Sequence, residues 1–169
     1  ALGVPSTWTA IVPSDYKLAS GQLQSDSYTF TSDDNQTIIV NVAHQHTTGL
    51  MYTTDSLNYS GLPEDDEVTK STTITWTTDI DDVTGAETWT PDITSAVTLE
   101  SPIVDGYTAQ QTDATFGAPS KITATKDAAS DPGPQNAEIT VTYEADKQTL
   151  TLNYVDDDDN EKVLTDQTQ

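Results

Sequence analysis

The chain has 169 residues, 34% of them hydrophobic, and its 28 acidic and 6 basic residues give a formal charge of −22. With no arginine, few lysines and no cysteine, it lacks the cations that grip nucleic-acid phosphates or an anionic membrane surface, and it has no disulfide or thiol nucleophile. No apolar run reaches the roughly 18 residues of a membrane span, and no signal-peptide pattern is present.

The length suits one medium domain or two small ones. Threonine dominates the composition, and β-branched side chains favour pleated strands. No segment sustains a 3.6-residue period, so the expectation is a mainly β chain with at most one or two short helices.

In chain order, Pro5-Ser6-Thr7 is expected to open a short helical turn, limited by Pro13. Asp33-Asp34-Asn35 reads as a turn. Gln36 to His46 alternates and reads as a strand, with Ile38, Val40, Val42, His44 and His46 on one face. Residues 47–66, with Asn58-Tyr59-Ser60-Gly61 and Pro63-Glu64-Asp65-Asp66, read as a polar connector. Glu67 to Thr78 is expected to be a long strand with Val68, Thr72, Ile74 and Trp76 on one face. Asp81-Asp82-Val83-Thr84-Gly85 is a hairpin turn with glycine where positive φ is needed. Ala86 to Thr90 returns, bringing Trp89 across from Trp76.

Val97-Thr98-Leu99 and Ile103-Val104 flank Pro102, and Asp105-Gly106-Tyr107-Thr108 turns into a strand. Ile122 to Thr125 is a short strand, and Asp127 to Asn136 a loop by its Pro, Gly and Asp content. Ala137 to Glu144 buries Ile139, Val141 and Tyr143. Leu150, Leu152 and Tyr154 repeat that pattern before the aspartate run.

Several blocks resemble the mucus-binding repeats of lactic-acid-bacterial surface adhesins. Thr72-Thr73-Ile74-Thr75-Trp76-Thr77 followed by Asp82-Val83-Thr84-Gly85-Ala86-Glu87-Thr88-Trp89 is similar to the family's T-x-T-x-T … D-x-V-T-G-x-x-T-W hairpin. Ser101-Pro102-Ile103-Val104-Asp105-Gly106-Tyr107-Thr108 resembles its P-x-V-x-G-Y-T motif, and Glu138 to Tyr143 its closing strand. Leu152-Asn153-Tyr154-Val155-Asp156-Asp157 looks like the opening of a companion mucin-binding module. Tyr16-Lys17-Leu18 through Ala43-His44 looks like that companion's end. One departure is that Asp79 and Asp81 stand where the family's hairpin usually carries a basic residue.

The resemblance implies β-grasp-like modules in an elongated two-module repeat. Residues 1–46 would be the C-terminal part of a mucin-binding module, 47–146 a second β module, and 147–169 an opening hairpin that completes 1–46 within one chain or between neighbouring repeats. A lone hairpin is only marginally stable. The closing Asp166-Gln167-Thr168-Gln169 carries no natural stop signal, so the expectation is a piece of a larger exported protein.

Asp156, Asp157, Asp158 and Asp159, followed by Asn160 and Glu161, have the oxygen chemistry of a calcium site. The spacing lacks the EF-hand glycine and downstream bidentate glutamate, which favours a solvated hairpin tip. Asp79, Asp81 and Asp82 form a second acidic cluster with the same two readings. His44 and His46, at i and i+2, suit one metal but lack an evident third ligand. Trp8, Trp76, Trp89, Tyr52 and Tyr59 are able to stack on sugar rings; Trp76 and Trp89 read better as core partners, leaving Tyr52 and Tyr59, in the connector, as the candidate glycan-contacting pair.

No nucleophile elbow or catalytic histidine motif appears, and the chain is read as no enzyme. What the resemblance implies is an extracellular, cell-wall-associated adhesin repeat binding mucin glycoproteins or glycans, with immunoglobulins as a further partner class, no cofactor other than a calcium ion at the acidic runs, and neighbouring repeats as contacts. The alternative is a structural stalk without its own ligand.

Overall fold

The structure, a computed structural model, describes residues 3–32, 36–63, 69–125, 133–156, 158 and 162–168. The described residues contain strands, turns and irregular segments, with no helix. The fold is therefore mainly β.

Fourteen strands are seen among these residues: β1 (Pro5–Thr9), β2 (Tyr16–Leu18), β3 (Ser25–Thr29), β4 (Val42–His44), β5 (His46–Ser60), β6 (Lys70–Asp81), β7 (Glu87–Pro91), β8 (Val97–Glu100), β9 (Tyr107–Ala109), β10 (Asp113–Phe116), β11 (Ile122–Ala124), β12 (Ala137–Ala145), β13 (Thr151–Asp156) and β14 (Lys162–Thr168). Contacts divide the chain into two units, 1–55, 72–97 and 116–137 in the first, and 56–71, 98–115 and 138–169 in the second.

In the first unit β11, β7, β6 and β5 are hydrogen-bonded neighbours in that order. The β6–β7 hairpin forms as its sequence predicts. The turn closes with Gly85 N–H donating to the Asp81 carbonyl at 2.7 Å, and Gly85 takes φ 67°, which only glycine adopts without strain. Alternation along β6 points Ile74 and Trp76 inward, 4% and 5% exposed. They join Trp89 and Ala124 in one buried cluster flanked by Met51, Ile93 and Ile122. Trp89 shares this cluster, but its register partner is Thr78, while Trp76 stands opposite Pro91.

Three expectations for the first sixty residues are corrected. Pro5-Ser6-Thr7 opens no helical turn: β1 is a strand paired antiparallel with β3 from Pro5↔Thr29 to Thr9↔Ser25. Thr7, Trp8 and Thr9 lose less in an extended pleat than in a helix. The strand expected over Gln36–His46 shrinks to β4, which pairs with β2. Residues 36–41 are irregular, and Ile39 is 75% exposed.

The expected polar connector is the longest strand of all. β5 turns Thr53, Asp55 and Leu57 inward at 2%, 5% and 0% exposure. Two of these three are polar, so the strand hides behind a polar sequence. It satisfies them internally. The Thr53 hydroxyl accepts the Trp76 indole N–H at 2.9 Å, and the Asp55 carboxyl accepts the Ala137 backbone N–H.

In the second unit the end of β5 neighbours β12, and β12 neighbours β9 with Tyr143↔Ala109 and Ala145↔Tyr107. Val141 and Tyr143 are 1% and 3% exposed beside Leu57, as the alternation of β12 predicts. β8 pairs with β10 in a separate ribbon. β13 pairs with β14 from Thr151↔Thr168 to Asp156↔Lys162, with a register irregularity after Tyr154. The buried face expected along β13 is absent within one chain: Leu150, Leu152 and Tyr154 are 61%, 41% and 57% exposed. A two-stranded ribbon has no second layer to cover them. The turn expected at 33–35, Pro63-Glu64-Asp65-Asp66 beyond Pro63, Val68, and residues 127–132 of the expected loop lie outside the described residues.

Candidate functional site

The β8–β10 ribbon and β9 frame a groove in the second unit. Ser101 N–H donates to the Thr112 carbonyl at 2.9 Å, and the Thr98 and Thr115 hydroxyls meet at 2.9 Å. Both pairs fit one antiparallel register, and the same register sets Glu100 opposite Asp113 on the exposed face. Two acidic residues thus face each other across the end of the ribbon, an arrangement that stabilises nothing by itself.

Beyond them the chain turns through Gly106, φ 80°, with Tyr107 N–H bonded to the Val104 carbonyl at 3.1 Å. The turn folds Tyr107 back into β9, against β12. The Tyr143 hydroxyl then donates to the Pro102 carbonyl at 2.6 Å, tying the loop to the sheet. Burial pushes the Tyr143 phenol up from its ordinary value. A groove of about 500 Å³ results, lined among others by Glu100, Ser101, Pro102, Ile103, Tyr107 and Asp113. Ile103 lines it at 98% exposure, and the buried Ser101 hydroxyl makes no hydrogen bond of good geometry but lies near enough to the Tyr143 phenol to oppose its upward shift. Among the described residues no basic side chain lines the groove.

The first unit holds a second cavity of about 360 Å³, lined in part by Thr53, Asp55, Trp76, Phe116 and Gln135. Burial raises the Asp55 carboxyl, opposed by the backbone N–H of Ala137. Asp55 shares the lining of that cavity with the buried Ile74 and Trp76.

The expected glycan pair does not converge. Tyr52 and Tyr59 both lie on β5, but their odd and even positions face opposite sides. Tyr52 is 60% exposed. Tyr59 was expected to be exposed in a connector. Instead it is half-buried, its hydroxyl is buried without a partner, and its ring meets Tyr143 edge-on at 5.8 Å. Burial raises its phenol, and the neighbouring Tyr143 adds to the shift.

The acidic cluster at the β6–β7 turn meets the two histidines. His44 Nδ1 lies 2.8 Å from Asp81 Oδ2, and His46 Nδ1 2.8 Å from Asp79 Oδ1. The His44 bond holds the Asp81 carboxyl well below the usual carboxylate range, helped by the Thr84 and Val83 N–H groups. Each imidazole thus has its own carboxylate. Asp82 contributes its backbone N–H to the Gln45 carbonyl at 2.9 Å. Among the described residues no group of three or more His, Cys, Asp or Glu side chains is arranged to hold a metal ion. Of the aspartate run, Asp156 ends β13 and Asp158 lies in a turn, while Asp157 and Asp159 lie outside the described residues.

Glu100, Ser101, Asp113 and the Tyr107–Tyr143 wall were missed as site residues. The only local signal was the Pro102 to Thr108 motif, which marked the loop but not its neighbours.

No family model matches the chain, and no curated protein matches it. Solved structures do. The chain is similar to a MucBP domain of an adhesion protein from Pediococcus pentosaceus at 30% identity, covering 57% of this chain and 100% of that one, with a TM-score of 0.34. It is similar to a mucin-binding domain from Streptococcus pneumoniae at 18% identity, covering 62% and 99%, with a TM-score of 0.34. The type 2 repeat of a mucus-binding protein from Lactobacillus reuteri matches at 22% identity over 78% of this chain and 76% of that one, with a TM-score of 0.31. No described helix is long and apolar enough to cross a membrane.

Proposed function

We propose, from the premise that this chain belongs to the mucus-binding repeat family, that it is a non-enzymatic adhesin repeat which binds mucin glycoproteins at a bacterial cell surface. The observation that carries the reading is the placement of the family-like motifs. The T-x-T-x-T run lies on β6, the D-x-V-T-G turn closes at Gly85, and Trp89 follows on β7. Pro102 to Thr108 forms the turn into β9, and Glu138 to Tyr143 lies on β12. Segments similar to the family's motifs thus occupy the local structures their residues require.

A single shallow groove of this size supports weak binding, and tandem copies would supply avidity. Neighbouring repeats are also the natural cover for β13, whose Leu150, Leu152, Tyr154 and Val155 stay 41% to 61% exposed. The test is retention of this chain on immobilised mucin, compared with an unrelated acidic β-domain. Retention above that control supports the adhesin reading. Retention equal to it favours the stalk.

A further inference from the structure

We infer that the groove between the β8–β10 ribbon and β9 is a direct binding subsite for an uncharged hexose, rather than for an acidic sugar. The inference rests on the mucin-adhesin reading and deepens it.

Four observations point to this ligand chemistry. First, among the described residues the lining carries two carboxylates, Glu100 and Asp113, and no basic side chain, within a chain of formal charge −22. A carboxylated or sulfated sugar would meet like charge without a partner, which costs far more than a weak site returns. Second, a carboxylate accepts hydrogen bonds and donates none. Adjacent hydroxyls of a neutral sugar supply the missing donors, and charge-assisted bonds of this kind are the stronger ones. The cross-strand carboxylate pair, unfavourable when empty, gains a reason to exist.

Third, the buried Ser101 hydroxyl makes no hydrogen bond of good geometry, its neighbour the Tyr143 phenol being committed to the Pro102 carbonyl, although buried polar groups are nearly always paired. It lines the same groove. Fourth, part of the lining is apolar: Pro102, the Tyr107 ring and the 98% exposed Ile103 offer a surface for the C–H face of a pyranose. A groove of about 500 Å³ holds one or two sugar rings. It is also held ready. Tyr143 anchors Pro102, and the Thr108 hydroxyl donates to Asp146 at 2.6 Å, so little ordering remains to be done on binding.

The experiment records ¹H–¹⁵N spectra of the whole chain titrated with methyl β-galactoside, N-acetylneuraminic acid or a lysine-rich peptide, each with and without EDTA. Glu100→Gln/Asp113→Asn and Tyr107→Ala are compared with the parent chain, and mucin retention is measured alongside. The expected result is galactoside shifts at Ser101, Tyr107 and Thr108, unaffected by EDTA, and no saturating shifts there with the acidic sugar or the peptide. Each variant should weaken the galactoside at least about fivefold, the loss of roughly one charge-assisted hydrogen bond or one stacking face. The double amide variant removes a like-charge pair, so it should unfold no earlier than the parent.

Galactoside shifts mapping elsewhere, saturating binding of the acidic sugar or the peptide in the groove, or loss of binding in EDTA would overturn the inference. Retention on mucin that survives both variants overturns the groove while leaving the adhesin reading intact. Galactoside bound in the groove without mucin retention does the reverse.

Discussion

Replacing Thr53 by valine tests whether β5 is held by a polar contact. Thr53 is 2% exposed, and its hydroxyl accepts the indole N–H of Trp76, itself 5% exposed, at 2.9 Å. Valine keeps the branched shape but offers no acceptor, so the indole N–H stays buried and unpaired. An orphaned buried donor costs about 1–3 kcal/mol, and relief of the hydroxyl's own desolvation offsets part of it, leaving about 1–2 kcal/mol. For a chain of this size that lowers Tm by about 2–8 °C. The assay is urea unfolding of the parent, Thr53→Val, Thr53→Ser and Trp76→Phe chains, followed by far-ultraviolet circular dichroism. Serine keeps the acceptor and should recover much of the loss. In the Trp76→Phe background, where no donor remains, Thr53→Val should cost less than about 0.5 kcal/mol. An unchanged midpoint for Thr53→Val, or an equal cost in both backgrounds, would refute the reasoning.

The remaining predictions concern strain, an orphan hydroxyl and acid. Gly61→Ala should destabilise by more than about 2 kcal/mol, because φ is 86° and the new Cβ would run into the Tyr143 backbone carbonyl. Gly106→Ala, with φ 80° but open space around it, should cost only the strain of about 1 kcal/mol; equal costs in thermal unfolding would remove the steric argument. Tyr59→Phe deletes a buried hydroxyl without a partner, so stability should hold or rise by up to about 1 kcal/mol, and a clear loss would reveal a missed hydrogen bond. The folded Asp81 carboxyl titrates below its unfolded counterpart, so its contribution is complete above about pH 4 and fades as pH falls through the lower folded value. Between pH 5 and 2 the stability curve of Asp81→Asn should therefore be flatter than the parent's. Parallel curves would mean that His44 does not hold this carboxyl.

What the sequence showed best was structure made by neighbours in the chain. The β6–turn–β7 hairpin was readable because Ile74, Trp76 and Trp89 alternate cleanly around a glycine that must take positive φ. β12 was readable for the same reason, through Val141 and Tyr143. β5 was hidden because Thr53 and Asp55 occupy inward positions normally held by aliphatic residues, so a buried strand looked like a solvated link. The opposite error arose at 36–41, where Ile38 and Ile39 look like a strand but no partner strand receives them. The groove depends on registers no local pattern contains. Glu100 meets Asp113 across a ribbon, and Tyr107 reaches β12 through Ala145. The motif around Pro102 marked the loop, and only the fold supplied its opposite wall.

The polar character of β5 has a consequence for how copies of this chain behave together. A strand with alternating aliphatic residues is aligned by its greasy face and pairs readily with any strand of like pattern. On β5 that face is interrupted, with Thr53 and Asp55 standing between Met51 and Leu57. Its alignment is fixed by a row of matched donors and acceptors: Thr53 with Trp76, Thr54 with Asn136, Asn58 with Glu138, Ser60 with Thr142. Shifted by one residue, every one of these contacts fails at once. Stacked in register on another copy, the strand would bring Asp55 carboxylates within about 5 Å of one another. The residues that disguise this strand as a loop also make it a poor seed for fibrils, an asset in a threonine-rich β protein.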